Sequence, residues 1–143
     1  MTDKDKLLII SANIKRDFNK SLSENKTFGE MIRKIMADKN WDSTDFEVKT
    51  ELSKKIYSDI KKSNYKPKMR IVVSICIGLK LDILKTQELL KCAGLCFSPT
   101  DKVHYAYHKL IARYYYLDIE NCNRILKKLG IEKKHFLGSQ SRK

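Results

Sequence analysis

A chain of 143 residues, 42% hydrophobic and 33% charged, has enough apolar material for one compact domain, or for a small domain with helical additions. Its 30 Lys and Arg against 17 Asp and Glu give a formal net charge of +13, which points to a polyanionic partner without separating DNA from RNA or an acidic protein. No apolar run approaches the ~20 residues that span a bilayer, and the opening MTDKDKLLIISANIKRD has too short an apolar centre for a secretory signal, so a soluble cytoplasmic protein with no membrane partner is expected.

With 5 glycines, 2 prolines and almost no apolar alternation, the chain reads as all-α. From about Lys4 to Ser23, Leu7, Ile10, Ile14, Phe18 and Leu22 recur at spacings of three and four. They predict an amphipathic helix that packs on its own chain or on a second copy. Thr27 and Glu30 form a T-x-x-E capping box for a helix from about Phe28 to Asn40, with Phe28, Met31, Ile32, Ile35 and Met36 inward. Asn40 to Ser43 breaks it. Asp42 or Ser43 then caps a short helix over about Thr44 to Lys49 that presents Phe46 and Val48.

After the turn Thr50-Glu51-Leu52, Ser53 is placed to cap a helix with Ile56, Tyr57 and Ile60 at helical spacing. Lys54, Lys55, Ser58, Lys61 and Lys62 fall on the rest of its surface. A polar loop from Ser63 to Lys66 follows, and Pro67 suits the first turn of the next helix, which runs to about Leu79. Between Lys54 and Arg70 seven Lys or Arg stand against one acid, Asp59. A short helix with a basic face and a basic loop behind it fits a DNA major groove and its flanking phosphates; the plainer reading is a solvated amphipathic helix.

Asp82 caps a helix through Leu89, Leu90 and Ala93 that Gly94 ends. The loop Ser98 to Asp101 caps a helix from Lys102 to about Tyr116. Asp118 or Glu120 opens the last one, with Ile119, Cys122, Ile125, Leu126 and Leu129 inward and Gly130 as its stop. The expected organisation is an amphipathic helix over 1–26, a helical domain over 27–97, a helical extension over 98–137 and a flexible basic tail over 138–143.

Cys76, Cys92, Cys96 and Cys122 show no disulfide-framework spacing and are expected to be reduced. Cys92-x3-Cys96 before His104-x3-His108 invites a zinc reading, but the pairs are seven residues apart and small buried thiols explain the cysteines equally well, so no metal is assigned. His104, Tyr105, Tyr107, Tyr114, Tyr115 and Tyr116 make the tail aromatic. With Lys109 and Arg113 they have the chemistry of a stacking surface for single strands; core and interface are the better reading. His135 has no evident partner. There is no Gly-rich phosphate loop, nucleophile elbow or recognisable carboxylate pair, so neither enzymatic activity nor a cofactor is expected.

The order of signals from Phe28 to Leu81 resembles the Cro/CI-type (XRE, lambda-repressor-like) helix-turn-helix family. The resemblance is carried by Phe28, Ile32 and Ile35 in the first family helix, Phe46 in the second and Thr50-x-Leu52-Ser53 in the turn. It continues with Tyr57-Ser58-x-Ile60 in the recognition helix, Pro67 after the loop and Ile75-x3-Leu79-x-Leu81 closing the fourth helix. Leu89-Leu90-x-x-Ala93-Gly94, Ser98 and Asp118-Ile119-x3-Asn123-x-x-Leu126 look like the C-terminal extension of a group of small bacterial proteins bearing this domain.

The resemblance implies a lambda-repressor-like bundle with an added N-terminal helix and C-terminal helices, acting as a sequence-specific regulator of transcription on double-stranded DNA. It further implies a homodimer, with the C-terminal helices serving assembly or a protein partner. A repressor is the leading form; an antitoxin or a phage or mobile-element regulator are others. Lys54, Lys55 and Asp59 then face base edges, while Ser43, Ser58, Lys61, Lys62, Asn64, Lys66 and Lys68 meet phosphates. Three positions depart from the family pattern. Glu51 stands where Gly is usual, and must go left-handed or reshape the turn. Glu47 stands where a small residue lets two helices close, and Ser43 replaces Gln. The competing readings are a protein-interaction module on a degenerate scaffold and an RNA-binding protein.

Overall fold

The computed structural model describes residues 2–62 and 64–139, and every regular element among them is helical. In chain order they are α1 (Asp3–Glu24), α2 (Phe28–Asp38), α3 (Ser43–Thr50), α4 (Lys54–Ile60), α5 (Met69–Gly78), α6 (Ile83–Cys92), α7 (Lys102–Arg113) and α8 (Ile119–Lys128), followed by a short 3-10 turn at Lys133–His135.

The core is built around α5. From Ile71 to Leu79 every residue is buried, as expected of a helix that is apolar all round and enclosed by neighbours. Helices α3, α6, α7 and α8 lie against it, and α2 packs on α4 and α6. One continuous cluster runs from Phe28 in α2 through Leu89 and Leu90 in α6 and Tyr107, Leu110 and Ile111 in α7 to Leu126 in α8 and Leu137 beyond it. The helices expected as an extension therefore share the core of those before them.

Two close approaches depend on glycine inside a helix. A Cβ on Gly29 would lie 2.2 Å from the carbonyl oxygen of Ile60, where α2 meets the end of α4. A Cβ on Gly78 would lie 2.9 Å from the carbonyl oxygen of Lys49, where α5 meets α3. Neither backbone has room to yield to a side chain.

Most caps follow the sequence: Thr27, Asp42, Asp82, Asp101 and Asp118 each accept a backbone N–H in the first turn of the next helix. Some expectations are corrected. Ser53 occupies the cap position of α4, but its hydroxyl makes no cap bond. Pro67 is buried ahead of α5, which starts two residues later behind Lys68. Helix α7 stops at Arg113, because Leu117 turns back onto the core and Lys80 holds its carbonyl at 2.9 Å, leaving Tyr114 to Tyr116 outside the helix. Val48 and Leu129 are exposed.

The apolar stripe of α1 does not pack on its own chain: no residue of that helix is buried. At the other end Gly138, expected to open a flexible tail, is held against the bundle. Gly138 is buried, and its N–H donates to the Ser74 hydroxyl at 2.9 Å. Residues 140–143 lie outside the described residues.

Candidate nucleic-acid interface

The geometry of α4 is set by the turn before it. Helix α3 starts in a reciprocal capping box between Asp42 and Asp45, and the Asp45 backbone N–H holds the Asp42 carboxyl below its usual range. At its other end the buried Thr50 hydroxyl donates to the Phe46 carbonyl at 2.6 Å and accepts the Leu52 N–H at 3.2 Å. Glu51 between them is left-handed, with φ 54° and ψ 26°, the first of the two outcomes its position allowed. That conformation costs a non-glycine residue about 1–2 kcal/mol. The bonds on either side and a 2.7 Å bond from the Ser139 N–H to the Glu51 carbonyl hold it in place.

Beyond the turn, Phe46, Leu52 and Ile60 are buried together, and the Phe46 and Tyr57 rings meet at 5.4 Å between centroids. These contacts fix α4 against α3 and turn its other face outward. Glu47 is exposed and does not separate the two helices.

The exposed face of α4 and its following turn gathers Lys54, Lys55, Ser58, Lys61 and Lys62. Lys61 lies over the Tyr57 ring, 4.7 Å from its centroid, so an aromatic face steadies its ammonium group. Asn64, Lys66 and Lys68 continue the exposed polar surface toward α5. Ser43 is the half-buried first residue of α3.

Two charged residues behave differently from the expectation. The Asp59 side chain is only 17% exposed and pairs with Lys62 at 3.1 Å, so it is not a free acceptor on the outer face. Its charge also helps raise the pKa of Tyr65, behind the larger effect of burial. Arg70, counted within the basic stretch, turns inward and donates to the Gly138 carbonyl at 2.6 Å.

The cysteine and histidine pairs do not converge. No group of three or more metal-ligating side chains comes together among the described residues. Cys92 faces the Met31 sulfur at 3.3 Å, His104 Nδ1 accepts the Ser98 N–H at 3.0 Å, and both His104 and His108 meet Phe97 edge-on. Burial pushes the Cys76 and Cys122 thiols up to about 12, which leaves them unreactive.

Of the tyrosines, Tyr107 belongs to the core and donates its hydroxyl to the backbone carbonyl of His135. Tyr105 and Tyr114 to Tyr116 are exposed. Sequence reasoning did not assign Asn123, Ser74 and Arg70 as the residues that hold Leu137 and Gly138 against the bundle. A polar Asn123 within the apolar stripe of α8 was the available signal.

Among the described residues no helix is long and apolar enough to cross a membrane. Set against known protein families, curated proteins and solved structures, the chain matches none of them.

Proposed function

We propose that this chain is a sequence-specific regulator that binds double-stranded DNA through a lambda-repressor-like helix-turn-helix, with α4 entering the major groove. The observation that carries the reading is the outward lysine face of α4, displayed on a helix fixed to α3 by the left-handed turn at Glu51. Lys54 and Lys55, at the start of α4, suit guanine O6 and N7. Asp59 serves a cytosine amino group only by giving up Lys62, so the two lysines carry most of the discrimination. Ser43, Ser58, Lys61, Lys62, Asn64, Lys66 and Lys68 flank them and serve the phosphates, which sets the salt dependence rather than the sequence. A homodimer would place two such helices on paired half-sites, and occupancy of a promoter or operator would repress.

Fluorescence anisotropy across a salt series, comparing the DNA upstream of the protein's own reading frame with a scrambled duplex, tests this. A preference of about 10³ or more for the upstream DNA is expected. Binding should fall steeply with salt, and the preference should be lost in the double variant Lys54→Glu, Lys55→Glu. Equal affinity for both duplexes would sink the reading. The exposed Tyr114 to Tyr116 favour the second reading, a protein-interaction module, in which the double variant keeps its function.

A further inference from the structure

We propose that α1 is a pairing surface for a second copy of this chain, with the two helices parallel and in register. The helix is 22 residues long, about 33 Å, and is well formed at both ends. Thr2 and Asp5 make a reciprocal capping box, and the Asn25 N–H closes on the Ser21 carbonyl. Yet Leu7, Ile10, Ile14, Phe18 and Leu22 are all at least half exposed. Helices gain most of their stability from packing an apolar face, and this one has no such face covered.

The stripe itself argues for a helical partner. At 100° per residue those five side chains, with Ser11 and Ser21 between them, fill one narrow face, while Leu8 and Ile9 fall off it. Leu7 and Phe18 are eleven residues apart, and so are Ser11 and Leu22. That period suits two helices running side by side with little or right-handed supercoiling.

The flanks argue for a copy of itself and for the direction. Lys4 and Lys15, again eleven apart, lie along one edge of the stripe. Asp17 and Glu24 lie along the other, with Lys6 the exception on that side. A two-fold axis running along two parallel helices sets unlike flanks together. Asp17 then faces Lys15 of the second copy, two residues or about 3 Å of rise away. An antiparallel pair would oppose lysines to lysines. This inference stands whether or not the chain binds DNA.

Sedimentation equilibrium of the full chain without DNA, over a range of concentrations, reads the pairing directly. The expected mass is twice 16.7 kDa, and the single substitution Ile14→Lys should return it to that of one chain. Lys15→Glu and Asp17→Lys should each weaken the dimer roughly tenfold, because each sets like charges face to face, and the two together should restore it. All three positions are exposed, so the core is untouched. A chain that stays monomeric at every concentration, including one that instead binds anionic vesicles, would overturn the proposal. So would a dimer indifferent to Ile14→Lys, or a paired charge swap that fails to restore association.

Discussion

The two ends of the described chain meet the bundle in opposite ways. Helix α1 brings seven large apolar side chains and buries none of its residues. The segment from Ile131 to Ser139 has only short 3-10 turns and no α-helix, yet the bundle binds its backbone at successive points. Tyr107 donates to the His135 carbonyl. The Asn123 side chain accepts the Leu137 N–H at 2.7 Å and donates to the Leu137 carbonyl at 3.1 Å. Ser74 and Arg70 take the N–H and carbonyl of Gly138, and the Ser139 N–H reaches Glu51. The difference is one of backbone accounting. A helix satisfies its own peptide groups and stands away from the core at little cost. An irregular segment is buried only where side chains supply the partners that a helix would have provided. Because the last of these bonds ends on Glu51, the strap also buttresses the turn that aims α4.

The sharpest way to break the comparison is to remove the strap's main partner. Asn123→Ala leaves the N–H and carbonyl of Leu137 buried and unpaired, which should cost about 3 kcal/mol. Urea unfolding should show a lower midpoint. An unchanged midpoint would mean that water serves Leu137 equally well and that the strap is not bound as described.

Gly138→Ala should do somewhat less. The residue sits at φ +65°, and an added Cβ would lie 2.7 Å from that of Glu51. Left-handed strain and crowding together should cost about 2 kcal/mol, with the loss concentrated in the strap and the turn. Hydrogen exchange should therefore speed up at Leu137 to Ser139 and at Leu52 before it does in α5. Uniform acceleration would contradict this local account.

The sequence disclosed α5 and the surroundings of α4 far better than the strap. Helix α5 is a mostly apolar run, and Asp42, Phe46, Leu52 and Ile60 follow local rules of capping and spacing. Glu51 was readable as a choice between two conformations because the turn leaves few others. The strap's bonds join residues 14, 64 and 68 positions apart, which no local pattern records. Gly29 and Gly78 did carry a signal, since glycine within a helix often marks a close approach, but the partner it approaches lies elsewhere in the chain. In the candidate interface the lysine face was legible from periodicity. The inward turn of Arg70 was not, because it depends on Gly138.

The smallest expected effect falls on α1 and sharpens the contrast. Phe18 is larger than Asn123, yet it is 60% exposed. In dilute protein, where the chain is monomeric, Phe18→Ala should change unfolding stability by no more than about 0.5 kcal/mol, since no packed contact is lost and alanine favours a helix. At concentrations where α1 is paired, the same substitution removes apolar contact between copies, so the difference should grow with protein concentration. Thermal unfolding of both proteins at several concentrations separates the two regimes. A difference that is large and independent of concentration would mean that Phe18 packs within its own chain, and that α1 is a covered part of the bundle rather than a surface awaiting a partner.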